Sequence, residues 1–405
     1  MTQRVFFTAR RTFTGRGAAQ TDWGVLIDGA TIEAVGPAAA IDVGPDVRRV
    51  DLGDATLLPG LIDLHSHVLL YPYNRTSWND QVLHEAEATR VARATVALAA
   101  TLRAGFTLLR DLGTEGAGYA DVGLRAALEQ GIIPGPKLIA TTRAIVATGS
   151  YGPKGFSPDC DCTPIGAQEA DGVDALTRVV RDQIRRGADW IKVYADYYWG
   201  PGGTARPTFT IDELKLVVDI AESSGRHVAA HASTAEGMRR ATLAGVRTIE
   251  HGTDGTPEIF ALMAEHGVAF CPTIAAYDAI SRYRGWNGAD PVPSLIAEKR
   301  ASMHAALAAG VTIANGSDVG VFDHGENARE LELLVDYGMS PQAALEAATT
   351  VAARVVDFER TLGTLAPGMT ADLIAVAGDP THDITTLRNI QLVIQSGRQV
   401  ASPPR

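Results

Sequence analysis

From Val5 to Pro59 the chain runs as short apolar segments broken by Gly, Asp and Pro, as in VLIDGATIEAVG and RVDLGDATLLPG. That spacing predicts short strands joined by tight turns. The same pattern returns from Leu362 to Val400. Two β-rich ends around a different middle predict one small β domain built from both termini, over residues 1–58 and 359–405. Between them, over 59–358, strand and helix patterns alternate. Strand candidates are Ile62–His65, Thr107–Arg110, Lys137–Thr141, Trp190–Tyr194, His227–His231, Arg247–His251, Val268–Pro272 and Thr312–Asn315. A helical pattern covers Gln81–Ala104 and stops at Gly105; another covers Asp174–Arg186 and stops at Gly187. A third runs from Thr210 to Ser224, with Thr210 and Glu213 at capping-box spacing and Gly225 past its end. Eight short strands with intervening helices predict a parallel (β/α)8 barrel. An open doubly wound sheet is the alternative, but no G-x-G-x-x-G joins a strand to a helix in support of it.

Length and composition fit this division. A barrel of this type takes roughly 250 residues, and 405 residues leave room for a second domain. Hydrophobic residues make up 46% and charged residues 20%, the balance of a globular protein with a large core. The net charge of −11 argues against nucleic acid or an anionic membrane as a partner, since both call for a basic footprint. A small-molecule substrate is expected instead. Cys160, Cys162 and Cys271 are too few for a disulfide framework; Cys160 and Cys162 read as surface thiols in a C-D-C loop. The first residues lack the apolar core of a signal peptide, and no run of about 18 apolar residues occurs. A cytoplasmic protein is the expectation.

The chemistry lies where strands end. His65 and His67 are two apart at the end of the first barrel strand, so their side chains point the same way. His231 and His251 end two further strand candidates, Asp318 follows another, and Lys192 sits within WIKVYAD. The C-terminal ends of barrel strands converge on one pocket. A single buried His there is more often structural; four, with a Lys and an Asp, point to a metal site. Lys192 in an apolar strand either pairs with a carboxylate or loses its proton and reacts with carbon dioxide to give an anionic carbamate.

These pieces together resemble the amidohydrolase superfamily, and within it the imidazolonepropionase-like and prolidase-like members. The matching segments are LLPGLIDLHSH, GFTLLRDLG, DWIKVYAD, HVAAHA, GVRTIEHG, ANGSD and GTLAPGMTADLIAV, in family order over nearly the whole chain. The resemblance implies a (β/α)8 barrel plus a small β-sandwich formed by both termini. It also implies two divalent metal ions, usually Zn2+, and a homo-oligomer. By position, His65 and His67 would hold the buried metal, N-carboxylated Lys192 would bridge both, and His231 and His251 would hold the exposed one. Asp318 would contact the buried metal and shuttle the proton. The donor types suit zinc with an open position for water.

The expected reaction is hydrolysis of a C–N bond by a metal-bridging hydroxide, with Asp318 returning the proton to the leaving nitrogen. The preferred substrate is a dipeptide or N-acyl-amino acid with a free carboxylate. A cyclic amide, as for imidazolonepropionase or a hydantoinase, is the alternative, as is a lactone or ester. A non-catalytic scaffold is disfavoured because every ligand position is filled. Many relatives carry a His in the Gly-rich loop after the third strand; this chain has Tyr151 there, a candidate oxyanion donor. In similar dipeptidase-like members a tyrosine two residues beyond the lysine helps hold the substrate's terminal carboxylate, a role the resemblance implies for Tyr194. Arg143 and Lys154 are further carboxylate candidates, and Tyr197, Tyr198 and Trp199 could line the pocket.

Overall fold

The computed structural model describes residues 4–400 except 158 and 161. Residues 1–3 and 401–405, within the expected β domain, and 158 and 161, within the loop over 143–170, lie outside the described residues. The chain divides into two compact units, Met1–Asp63 with Ala99–Leu108 and Gly325–Arg405, and Leu64–Leu98 with Leu109–His324.

In the first unit the two ends of the chain meet in one sheet. Strand Leu373–Ala377 pairs antiparallel with Ala55–Pro59, from Leu373 opposite Pro59 to Ala377 opposite Ala55. That six-stranded sheet faces a four-stranded one in which Arg4–Thr8 lies between Trp23–Asp28 and Arg48–Asp51. Strand side chains alternate between faces, and the sequence uses the alternation. Val5, Phe7, Val25, Ile27 and Ile32 from one sheet share a core with Leu57, Leu373, Ala375, Leu392 and Ile394 from the other. Phe6 and Leu26, on the reverse face, pack with Val47 instead. Each large aliphatic side chain buried this way contributes about 1.5–3 kcal/mol.

The barrel is closed. Strands Leu61–Ser66, Phe106–Asp111 and Lys137–Ala140 form one run, and Ile191–Tyr194, Val228–Ala232, Thr248–His251 and Ala269–Cys271 another. The Asp189 and Trp190 amides reach the Ala140 carbonyl at 2.8 and 3.4 Å and join the runs on one side. On the other, extended residues 312–315 complete the ring. Phe270 bonds the Thr312 carbonyl, Ala314 bonds that of Phe270, and Leu64 bonds that of Asn315. A parallel bridge from Ser66 to Val319 finishes the closure.

The expected helix over 81–104 is two helices, Trp78–His84 and Glu87–Arg103. Ser77 caps the first by accepting from the Asp80 amide, so it begins earlier than the periodicity suggests. Glu85 then turns extended and pairs with Arg93, which breaks the axis. The Thr210–Glu213 capping box is present, with both reciprocal bonds, at the start of Ile211–Glu222. The two long loops carry their own structure. Ile145–Val146 pairs parallel with Gln168–Glu169, and Asp196–Tyr198 forms a hairpin with Ala205–Pro207. No described helix is long and apolar enough to cross a membrane.

Leu57→Ala removes a fully buried side chain from the sandwich core. It should cost about 2–5 kcal/mol, read as a lower urea midpoint at unchanged slope. An unchanged midpoint would contradict the packing described.

Candidate metal centre

All six residues singled out at strand ends lie in the barrel unit. His65 is within the first strand and His67 directly follows it. Lys192 is within Ile191–Tyr194, His231 within Val228–Ala232, and His251 closes Thr248–His251. Strand register sets Tyr194 opposite His231 and Ala232 opposite His251. The rings meet: centroids are 5.4 Å apart for His65 and His67, 4.9 Å for His65 and His251, and 4.4 Å for His231 and His251. Asp318 Oδ1 lies 3.3 Å from His67 Nε2 and 3.6 Å from His65 Nε2. Ligand atoms of His65, His67 and Asp318 all fall within 4.8 Å of one another.

The donor chemistry fits a divalent cation. Burial holds His65, His231 and His251 well below the ordinary imidazole range, with the Lys192 charge adding to the effect. Neutral imidazole is the ligating form. Lys192 is 1% exposed, and its Nζ makes no hydrogen bond. Desolvation lowers its pKa to about 8, against the opposing attraction of Glu250, Asp318 and Glu115. A buried ammonium without an acceptor is costly.

Groups behind the imidazoles set their tautomers. The Gly113 carbonyl accepts from His67 Nδ1 at 2.9 Å, so the proton sits on Nδ1 and the Nε2 lone pair faces Asp318. Glu250 Oε2 lies 2.9 Å from His65 Nδ1 and does the same for that ring. Glu250 is itself fixed by Arg110 at 2.9 Å and by the Thr248 hydroxyl. Arg110 also donates to the Leu64 carbonyl at 2.7 Å and lies over the Trp190 ring. Thr273 Oγ1 lies 2.8 Å from His251 Nδ1. Such outer partners orient metal ligands and raise their basicity.

The backbone is strained at the same places. His251, Thr273 and Asp318 have φ of 74°, 54° and 60°, as do Glu115 at 50° and Thr142 at 63°. Left-handed non-glycine residues cost on the order of 1–3 kcal/mol each and cluster at functional sites. Lys299, buried under the centre, donates to the carbonyls of His251 and Pro272 and so holds that strained turn. The Asp318 amide bonds the His65 carbonyl at 2.7 Å. Gly320 is required beside it, because its φ is +114° and a Cβ would lie 2.5 Å from the His67 carbonyl oxygen.

Tyr151 and Tyr194 border this cluster. Tyr194 stacks on His231 with centroids 4.6 Å apart, and Tyr151 meets both Tyr194 and Tyr197 edge-on. Both hydroxyls donate to Glu115: Tyr151 to Oε2 at 2.5 Å and Tyr194 to Oε1 at 3.3 Å. The structure does not bring Arg143 into the group. Its guanidinium braces the loop, on Gln168 Oε1 and the Ala167 carbonyl. Lys154, Tyr198 and Trp199 are exposed. Cys160 and Cys162 are free thiols, 3.1 Å apart. Sequence reasoning passed over Glu250, Arg110 and Glu115. The first two carried a readable signal, a charge inside an apolar strand; Glu115 lies in a loop and gave none.

A closed barrel with imidazoles and a carboxylate gathered at its strand ends defines the metal-dependent barrel hydrolases. The Amidohydrolase family model matches residues 56–400, and the chain belongs to that family. A Xaa-Pro dipeptidase crystallised with methionine in its active site is 31% identical, with a TM-score of 0.87 over 98% of this chain and 99% of that one. A prolidase complexed with N-methylphosphonate-L-proline is 30% identical, with a TM-score of 0.83 over 98% of this chain and 99% of that one. The ochratoxinase of Aspergillus niger is 31% identical across 83% of this chain and 73% of its own length. The protein is a hydrolytic enzyme acting on amide C–N bonds.

Glu250→Gln should weaken metal binding about 10- to 100-fold, measured by competition with a chelator of known affinity. Wild-type affinity in that variant would show that the Glu250 contact to His65 does not support the centre.

Proposed function

We propose that this enzyme hydrolyses a dipeptide or N-acyl-amino acid with a free carboxylate, using two divalent cations held by His65, His67, Lys192, His231, His251 and Asp318. The observation that carries this reading is Lys192 Nζ, buried without a hydrogen bond, its charge acting on the imidazoles of His65, His231 and His251. The names of the dipeptidase and prolidase neighbours support the substrate class. Zinc suits the nitrogen and oxygen donors.

At a pKa of about 8, roughly a tenth of Lys192 is free amine at pH 7. That amine attacks carbon dioxide; a C–N bond forms, a proton is released, and the side chain becomes an anionic carbamate with two oxygens. Bound cations supply two effects, lowering the pKa of water and polarising the amide carbonyl. The remaining steps belong to side chains. Asp318, beside His65 and His67, accepts the proton of the attacking water on a carboxylate oxygen. It then delivers that proton to the amide nitrogen, which leaves only when protonated. The acceptors on Nδ1 of His65 and His67 keep the protons of those rings away from the reacting atoms. Tyr151 and Tyr194 wall the substrate side and exclude water.

Asp318→Asn keeps the shape and removes the base. Turnover of the best substrate in a panel of dipeptides and N-acyl-amino acids should fall at least about 10²-fold, with metal content by mass spectrometry retained. Activity near wild type in this variant would defeat the shuttle role. If, with cyclic amides and lactones added to the panel, only those compounds react with the wild-type enzyme, the substrate class is defeated.

A further inference from the structure

Cys160 and Cys162 play no part in the hydrolysis described above. Both are free thiols in the loop over 143–170. Their sulfurs lie 3.1 Å apart, and Cys160 Sγ also lies 3.6 Å from Thr163 Oγ1. Cys162 is exposed and Cys160 is half-buried. Cys271, by contrast, is fully buried in a barrel strand. A thiol reagent in solution therefore meets the pair and not the third cysteine.

The local chain suits the two sulfurs to bonding. The Cys160 amide bonds the Ser157 carbonyl at 3.0 Å, and the Asp159 amide bonds Ser157 Oγ at 3.3 Å, so the backbone at the pair is anchored to Ser157. A separation of two residues keeps the Cα atoms within about 7 Å even when fully extended, the limit beyond which a disulfide cannot form. The two thiols are not equivalent. Cys162 and Thr163 are placed to give hydrogens to Cys160 Sγ, which lowers the pKa of that thiol, and the same contact raises that of Cys162. The thiolate is the attacking form, so Cys160 is the nucleophile and Cys162 the partner that resolves.

We propose that Cys160 and Cys162 form a thiol–disulfide exchange site, which a low-molecular-weight disulfide oxidises to an internal Cys160–Cys162 bond. Cys160, as thiolate, attacks one sulfur of the reagent. A Cys160–reagent S–S bond forms, the reagent's own S–S bond breaks, and one half leaves. Cys162 Sγ then attacks Cys160 Sγ, and the second half leaves. The protons of both cysteines end on the two released thiols. One small disulfide is reduced to two thiols while two protein thiols become one disulfide, so the electrons balance. An exposed disulfide is readily reduced again, which makes the modification reversible. The site stands independently of the metal centre and of the substrate class proposed above.

Cystamine is the probe, a dicationic disulfide matched to Asp159 and Asp161, which flank Cys160 in the sequence. The enzyme is treated with it, remaining thiols are alkylated, and the peptides are weighed by mass spectrometry without reduction. The wild-type peptide holding both cysteines should lose two hydrogens, retain no reagent, and regain both thiols with dithiothreitol, while Cys271 stays unoxidised. Cys162→Ser should take up one cysteamine and keep it, at a rate within about threefold of wild type; Cys160→Ser should react at least about tenfold more slowly. Wild-type enzyme that ends with cysteamine still attached, or with both thiols unmodified, overturns the exchange site. Equal rates in the two variants overturn the assignment of Cys160 as the attacking thiol.

Discussion

Burial of several basic groups in one place is the constraint on which this centre depends. Lys192 and the imidazoles of His65, His231 and His251 are all strongly desolvated, and the Lys192 charge opposes protonation of the three rings. Desolvation favours neutral imidazoles and loosens the lysine's hold on its proton. Neutral nitrogen and anionic oxygen are what a divalent cation takes up. The fold therefore makes ligands by desolvation before any ion arrives.

Desolvation alone would leave each ring free to turn. The carbonyl of Gly113, the carboxylate of Glu250 and the hydroxyl of Thr273 remove that freedom. Glu250 can be buried because Arg110 neutralises it, and Arg110 because Glu250, the Leu64 carbonyl and the Trp190 ring take up its guanidinium. The strained turns at His251 and Asp318 are held by Lys299 and by the His65 carbonyl. Strand packing, ion pairing and backbone strain thus act on the same few atoms.

Much of this could be read from the chain. Residues at strand ends are legible because strand periodicity fixes their direction and the barrel fixes where the ends meet, which is why His65, His67, His231, His251, Asp318 and Lys192 stood out. The pairing of the two β-rich ends followed from their shared pattern. Glu250 and Arg110 obeyed the rule that singled out Lys192, a charge in an apolar run. The break at Glu85 was hidden, because a capped start at Ser77 and an ion pair to Arg93 leave no mark in hydrophobic spacing. Glu115 was hidden for a deeper reason. Its place beside the centre comes from donors on three distant segments, Trp78, Tyr151 and Tyr194, and no local pattern records such a meeting.

The account centres on two cations bridged by a modified Lys192. Crystals of the zinc-loaded enzyme, with diffraction recorded on both sides of the zinc edge, test it directly. The account predicts two anomalous peaks about 3.5–4 Å apart among these six side chains, joined by planar density extending from Lys192 Nζ. One peak, or none, with an unmodified lysine would contradict it.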